Sequence, residues 1–506
     1  MRYNIYLDTQ TKLILERLEN NGFEAFVVGG YVRDALLGTI GSDVDITTNA
    51  KPYEIQEMFS DFTTVDVGLS FGTITVIIDK SSYEITTYRL EKAYIDGRHP
   101  QKVEFTKDII EDLRRRDFTI NAMAYNPKIG LLDYFDGVKD LESKILRTVG
   151  KPWVRFEEDF LRMLRAIRFA TRFDLVIEPD VMEAIINKAS NIKRISNERI
   201  NVELSKILLT DFPVRGMKLL HESGLLEYIL PDLDKCVGFD QRTIHHAYDV
   251  FEHTMKVLEN TPKDLELRLA AIFHDVGKIY TMHIGDDGMG HFYGHDKVSQ
   301  EIVSKELKRL RYDNKTVENV SILVGKHMSA MNPYTDKSIK KLIRNIGEEN
   351  TKKLLILQRA DILATNNPEF TDNIDLGESI LERVITEEEV LFRNQIAING
   401  GDLIKMGYKQ GVEIGQILEL ITNLVSDNEL DNDRKKILEY INERTCKDEK
   451  SNNCRFMFRT ERWTEKKNGC KINTCKSWLR RWIYKGWGGS WYRRIRKENE
   501  GLSRSS

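Results

Sequence analysis

The chain has 506 residues, with 76 Lys+Arg against 79 Asp+Glu for a formal net charge of −3, and is 41% hydrophobic and 31% charged. This is the composition of a globular protein; it excludes a disordered or fibrous one, and the length accommodates roughly two to four domains. No apolar run approaches the roughly 18 residues of a spanning helix. The N-terminal MRYNIYLDTQTKLILERL lacks a basic region leading into an apolar stretch and a small-residue cleavage site. A cytoplasmic protein with no membrane partner is expected.

The averages conceal a break. Cys446–Ser506 carries 17 Lys+Arg and 6 Asp+Glu, a charge of +11, which leaves 59 against 73 and a charge of −14 for residues 1–445. The same tail holds four of the five cysteines (Cys446, Cys454, Cys470, Cys475) and five of the six tryptophans. With few aliphatic residues to form a core, it is expected to lie outside the machinery of the rest. Its cysteine spacing is a poor match to paired C-x2-C zinc patterns. The single cysteine in 1–445 excludes a disulfide framework there.

In chain order, the apolar burst Ala25–Val28 runs into Gly29-Gly30, and Tyr31–Leu37 reads as a helix stopped by Gly38. Val44–Thr47, Thr73–Ile78 and Tyr83–Tyr88 read as strands from their alternating or β-branched character. From about Leu141 onward the periodicity is nearly all helical. Boundaries are expected at Gly150-Lys-Pro152 and Leu230-Pro-Asp-Leu-Asp234.

A strand ending in two glycines at a helix start lets backbone N–H groups approach a triphosphate, aided by the helix dipole. Arg33, one turn in, can add a charge-assisted phosphate contact. In Asp43-Val44-Asp45-Ile46 the strand period of two places both carboxylates on one face. Such a pair can hold Mg²⁺ ions that bind phosphates and polarise an attacking hydroxyl. Glu84, flanked by Tyr83 and Ile85, offers a third carboxylate from another strand. Alone, Gly-Gly is more often a turn and Asp-x-Asp a solvated face; their order and spacing favour the functional reading.

Glu111–Asn121 packs Arg114, Arg115 and Arg116 beside Asp117 and Asn121. Arg116 suits a phosphate, while Asp117 and Asn121 can hydrogen-bond ribose hydroxyls; the alternative is a solvated basic turn. Glu157–Phe173 is expected to be one helix with Asp159, Arg162, Arg165 and Arg168 along a broad face. Asp159 can accept from an exocyclic amine and Arg162 can donate to a ring nitrogen or carbonyl. A charged surface face with i,i+3 pairs is the ordinary alternative.

Eight of the ten histidines fall between His245 and His327. His253, the adjacent His274-Asp275, His295, His327 and Asp361 sit on separate helical patterns and can converge on one or two divalent metals. His245, His246, His283 and His291 have weaker claims.

The runs GGYVRDALLG and SDVDITT resemble the class II tRNA nucleotidyltransferases, which include CCA-adding enzymes and bacterial poly(A) polymerases, within the DNA polymerase β-like superfamily. VGLSFGTITV, YEITTYR, EDLRRRDFTINAMAY, DYFDGVKDLESKILRTVG and EEDFLRMLRAIRFATRF extend the likeness across residues 20–445; the likeness does not extend to the tail. The resemblance implies an α+β fold: a mixed-sheet head (1–140), a helical neck (141–230), an HD domain (235–366), a helical body (367–445) and the atypical tail (446–506). It implies Mg²⁺ at Asp43 and Asp45, nucleotide binding at Gly29, Gly30, Arg33 and Arg116, and a helix reading CTP or ATP through Asp159 and Arg162 with Arg165 and Arg168 on the nucleotide. Residues 86–100 are similar to the loop that helps switch from C to A addition. The histidine cluster resembles an HD phosphohydrolase centre, with Ni²⁺, Mn²⁺ or Mg²⁺ as its metal.

The implied function is template-independent addition of the 3′ CCA to tRNA from CTP and ATP. The alternatives are a poly(A) polymerase using ATP alone, a phosphohydrolase acting through the HD domain, and an RNA-binding protein with a spent site; the intact Asp43/Asp45 pair counts against the last. At −14 over 1–445, tRNA must meet a local basic surface and be recognised by shape.

Overall fold

The computed structural model describes residues 3–39, 41, 44–66, 72–94, 100–242, 248–286, 288–365, 370–387, 393–426 and 429–449. Asp43, residues 95–99 of the expected switching loop, His245, His246 and the tail beyond 449 lie outside the described residues. Two compact units emerge: Met1–Ile396 with Leu418–Asp431, and a second formed by Ala397–Ile417 with the chain from Asn432.

In the first unit, α1 (Thr9–Asn20) leads into β1 (Ala25–Val28), α2 (Gly30–Leu36), β2 (Asp45–Thr48), α3 (Pro52–Met58), β3 (Thr63–Val65), β4 (Thr73–Ile78) and β5 (Ser81–Thr87). A separate hairpin, β6 (Arg89–Tyr94) with β7 (Pro100–Phe105), precedes α4 (Ile109–Arg114), β8 (Met123–Asn126), β9 (Gly130–Asp133) and α5 (Gly137–Glu142). Seven strands form one sheet in the order β3-β4-β5-β2-β1-β8-β9. Every pairing is antiparallel except β2 with β5.

Alternation along each strand gives the sheet two faces. Val27, Ile46, Ile74, Val76 and Ile85 join the main core with Ile14 and Leu18 of α1 and Ile55 of α3. Phe26, Val28 and Ala124 form a smaller cluster with Tyr88 and with Ile109 and Leu113 of α4. Asp45 pairs in register with Val28 on one side and Glu84 on the other, so both acids stand on the face that α4 covers only in part.

Beyond the sheet the chain is almost entirely helical, as its periodicity predicts. The next segment holds α6 (Pro152–Glu158), α7 (Leu161–Arg172), α8 (Pro179–Lys188), α9 (Asn197–Leu208) and α10 (Pro213–Glu222). The expected boundary at 230–234 falls on the short helices α11 (Leu226–Ile229) and α12 (Pro231–Asp234). Then follow α13 (Val250–Glu259), α14 (Leu265–Phe273), α15 (Lys278–Thr281), α16 (His295–Arg309), α17 (Asn314–Lys326), α18 (Asp336–Ile346), α19 (Glu348–Leu363) and α20 (Asp372–Thr386). Aspartates cap three of them: Asp249 accepts from Glu252 N, Asp264 from Leu267 N and Asp313 from Thr316 N, supplying acceptors that the first helical turn lacks. In the second unit Asn399 caps the helix Gly400–Lys405, and Arg434 pairs with Asp402 at 2.7 Å. No described helix is long and apolar enough to cross a membrane.

Gly137, at the start of α5, packs where no side chain fits. A Cβ there would lie 2.4 Å from the Thr119 carbonyl oxygen and 3.0 Å from the Met123 side chain. Gly137→Ala is expected to cost about 1–3 kcal/mol through overpacking, read as a fall in the urea midpoint. Gly415→Ala, which meets nothing within 4 Å, is the control and should leave the midpoint unchanged or raise it.

Candidate active site and candidate metal centre

The end of β1 delivers Gly29 at φ +71° as the residue before α2, a conformation that favours glycine. A Cβ at Gly29 would sit 2.8 Å from Nη1 of Arg116, so the missing side chain leaves the space that the guanidinium fills. On its other side, Arg116 Nη2 lies 3.7 Å from Asp112, whose second oxygen holds Arg115 at 2.7 Å. Burial works against ionised Asp112, but Arg115 and Arg116 outweigh it and hold the carboxyl below its usual range. Burial draws the Arg116 pKa down, opposed chiefly by Asp112 and further by Asp45. Arg116 therefore stands between a buried carboxylate and the sheet-face carboxylates.

Asp45 and Glu84 are register partners on parallel strands, and both are exposed. Two oxygen-only donors side by side suit a hard cation such as Mg²⁺; Asp43, the third expected member, lies outside the described residues.

A buried relay joins the glycine turn to the neck. Arg33, 4% exposed, donates Nε and Nη2 to Asp34 (2.8 and 2.6 Å) and Nη1 to Asn121 Oδ1 at 2.5 Å. These bonds engage three of its five N–H groups. Its plane packs over Phe173 and Phe169, 4.4 and 5.2 Å from the ring centroids. Asn121 in turn donates to Asp117 Oδ1 at 3.0 Å, which also accepts from Phe118 N at 2.9 Å. Asp117 Oδ2 accepts from Arg165 Nε at 2.7 Å. Burial opposes the Asp117 charge, but Arg165, followed by Asn121 and Arg162, holds the carboxyl far below its usual range. Asp117, expected to meet ribose, is thus fully engaged by protein donors here. Arg168 pairs with Glu203 at 2.5 Å and lies over the Phe169 ring.

Gly29, Gly30, Arg33, Asp45, Arg116, Asp117, Asn121, Arg165 and Arg168 all line one cleft of about 1280 Å³. Asp159 and Arg162 are not among its lining residues. The single helix expected over Glu157–Phe173 is two: α6 ends at Glu158, Asp159 is extended (φ −153°, ψ 108°), and α7 starts at Leu161. The physical reason is local competition, because the Asp159 carboxylate accepts from Leu161 N at 3.0 Å in place of helical bonding. Asp159 pairs with Arg199 at 2.6 Å, while Arg162 pairs with Glu158 and donates to the carbonyls of Arg155 (3.0 Å) and Arg115 (3.2 Å). The partners Arg199, Glu203 and Asp112 escaped the sequence reading; only Asp112, four residues from Arg116, carried a local signal.

The histidine cluster converges from five segments. His253 lies within α13, His274-Asp275 follow α14, His295 begins α16, His327 follows α17 and Asp361 lies in α19. They form two groups, His253/His274/Asp361 and Asp275/His295/His327. Asp275 joins them: Oδ2 lies 3.2 Å from His274 Nε2 and 3.6 Å from His253 Nε2, Oδ1 3.2 Å from His295 Nε2 and 3.7 Å from His327 Nε2. Buried Lys278 reaches Asp275 at 2.6 Å and Gln241 at 2.8 Å.

The donor chemistry fits metal. His274, His295 and His327 each bond a backbone carbonyl through Nδ1, at 2.8, 2.8 and 2.7 Å, which places a proton on Nδ1 and turns Nε2 inward, the atom that would bind a metal in exchange for any proton held there. His295 Nε2 and His327 Nε2 are then 3.2 Å apart, a repulsion that a shared cation removes. His274 Nε2 is buried without a hydrogen bond. Burial opposes the His274 charge, yet Asp275 lifts its pKa to about 8, whereas burial and His274 push His327 down to about 4. Neither His283 nor His291, paired in a short hairpin, belongs to either group.

Residues 25–147 match the family model described as poly A polymerase head domain, 174–237 the probable RNA and SrmB-binding site of polymerase A, and 243–366 the HD domain. The chain is 34% identical over 435 residues to a CCA-adding enzyme of Pediococcus pentosaceus, covering 85% of this chain and 96% of that one. It is 32% identical over 429 residues to one of Streptococcus suis, covering 85% and 94%. The crystal structure of the Bacillus stearothermophilus CCA-adding enzyme in complex with CTP matches with a TM-score of 0.66 at 26% identity, covering 87% of this chain and 98% of that one.

Asp117→Ala is expected to leave Arg165 and the Asn121 amide facing a partnerless gap. Breaking a buried pair costs roughly 3–5 kcal/mol; with a third of the Arg165 side chain exposed, the expected loss is on the order of 2 kcal/mol. Asp117→Asn, which keeps acceptor geometry on one oxygen, should fall between. Urea midpoints of the three proteins check the ranking.

Proposed function

The chain belongs to the CCA-adding enzymes, and we propose that it completes the 3′ end of tRNA by adding C, C and A from CTP and ATP. The observation that carries the reading is Asp45, which lines one cleft with Gly29 and Arg116 and has Glu84 as its register partner on the same sheet face. The primer 3′-hydroxyl attacks the α-phosphate, a new P–O bond forms, and pyrophosphate departs. We assign Asp43 and Asp45 as the residues that would hold Mg²⁺, with Glu84, the register partner of Asp45, as a third carboxylate; bound there, the ion would supply charge neutralisation and a more acidic hydroxyl.

The chain's own groups do the rest. Gly30 N–H and Arg116 bind the triphosphate, with Arg33 beside them. Asn121, fixed by Arg33 and Asp117, orients the ribose side of the cleft, and Arg165 and Arg168 extend its cationic wall. Asp159 and Arg162 read the base once the nucleotide displaces Arg199 and Glu158, their present partners.

The second centre supports a second activity, metal-dependent hydrolysis of a phosphate ester. The favouring observation is the set of inward Nε2 atoms around Asp275, which suits one or two ions such as Ni²⁺, Mn²⁺ or Mg²⁺. Asp275 would be a ligand, and Lys278, 2.6 Å from it, would hold its carboxylate in place.

Asp45→Ala should abolish addition of every nucleotide, since a metal ligand serves chemistry and not base choice. Asp159→Ala and Arg162→Ala should retain some addition and lose the preference for CTP and ATP over UTP and GTP, because a hydrogen-bonding site rejects mismatched analogues by large factors. Single-nucleotide addition to tRNA lacking CCA, with each triphosphate in turn, decides. Equal slowing of all four would reassign Asp159 and Arg162 to packing or phosphate binding.

Asp275→Ala should abolish hydrolysis of a 2′,3′-cyclic phosphate or a phosphomonoester while nucleotide addition persists. Loss of both activities in a protein with an unchanged thermal melt would make the two centres one.

A further inference from the structure

The cleft is larger than one nucleotide requires. Its volume of about 1280 Å³ exceeds the roughly 300–1000 Å³ that encloses a single small ligand. Its lining continues past Arg168 to Lys206, Phe212 and Lys263, none of which is assigned above to the incoming nucleotide.

Phe212 sits in the link between α9 and α10 and is 48% exposed. Isolated exposed aromatics are ordinary on a surface. This one lines a cleft, and its loop is held fast. Arg268 of α14, 6% exposed, donates Nη1 to the Thr210 carbonyl at 2.7 Å and to the Leu208 carbonyl. Lys263 pairs with the neighbouring Asp211 at 2.9 Å. A buried guanidinium thus fixes the backbone that presents a ring gaining little from burial.

The surroundings are cationic. Lys206 is exposed and makes no ion pair among the described residues, and Arg172 is half exposed. The acidic side chains of this region are matched, Asp211 by Lys263 and Asp174 by Lys144 and Arg215. An aromatic face between cations is the signature of a single-stranded nucleic acid track, where stacking tolerates any base. That tolerance suits a strand whose terminal residues change with each addition.

We propose that Phe212 stacks on a base near the 3′ end of the acceptor strand, with Lys206 along its phosphates, so that the terminal hydroxyl is presented toward Asp45. The assignment rests on the tRNA-extending reading and makes Phe212 a positioning residue for the primer.

The test uses the full chain and an acceptor-stem minihelix ending in CC, with binding read by fluorescence anisotropy and AMP addition from ATP by gel. Phe212→Ala should raise both Kd and KM for the minihelix on the order of tenfold, the size of one lost base–aromatic stack, with KM for ATP retained. Phe212→Trp should restore both. Abasic replacement of the stacked nucleotide should remove the difference between wild type and Phe212→Ala. Lys206→Gln should lessen the slope of log Kd against log salt by about 0.7, one single-strand phosphate. Unchanged minihelix Kd in both variants, beside a wild type that extends the primer, overturns the stack alone. A wild type that extends no minihelix overturns the tRNA reading and the stack together.

Discussion

The Asp117 carboxylate is the constraint on which the site depends. Three donors converge on it: the amide of Phe118 and the Asn121 side chain from the turn that follows, and the Arg165 guanidinium from α7. A buried charge persists only when paired and hydrogen-bonded, so these contacts form together or not at all. Through Asn121 the chain of bonds reaches Arg33, and through Arg33 the rings of Phe169 and Phe173. The glycine turn and α7 are thereby locked at one separation. The same device recurs behind it, where Asp140 binds Thr119 at 2.7 Å and Arg147 at 2.5 Å, and Arg147 reaches Glu178 at 2.6 Å.

The sheet solves a second problem, that of exposing acids without losing its core. Period two sends Ile46 and Ile85 into the large cluster and leaves Asp45 and Glu84 on the opposite face. Helix α4 covers Phe26 and Val28 on that face and stops short of the carboxylates. At its end come Arg115 and Arg116, which balance buried Asp112 and bring positive charge beside Asp45. One short helix therefore completes a core and delivers a cation beside Asp45.

Local signals were readable where chemistry and periodicity coincide. Gly29, the alternation around Asp45 and Glu84, and the six residues of the His/Asp cluster all follow from residue type and spacing. The partners were not readable, because they lie far off in sequence: Arg199 is 40 positions from Asp159, and Glu203 is 35 from Arg168. The break at Asp159 did carry a signal. An Asp immediately before Phe160-Leu161 is a cap residue at the head of an apolar run, and amphipathic continuity from Glu157 to Phe173 masked it. Arg33 shows the converse: its place one turn into the helix after Gly29-Gly30 points to phosphate, while the fold commits three of its five donors to Asp34 and Asn121.

Helix α14 links the two centres in a way that composition alone makes intelligible. It is buried on every side, from Leu267 through Phe273, as a helix apolar all round must be. Near its start Arg268 grips the carbonyls of Leu208 and Thr210 in the cleft loop; at its end stand His274 and Asp275. A rigid, fully packed element with a polar group at each end fixes both sites by the same packing. The histidine domain thereby buttresses the wall of the cleft through a buried guanidinium, whether or not its cluster holds a metal. Substitutions that empty the metal cluster but leave the apolar contacts of α14 intact act on one centre, whereas cavities in α14 itself reach both.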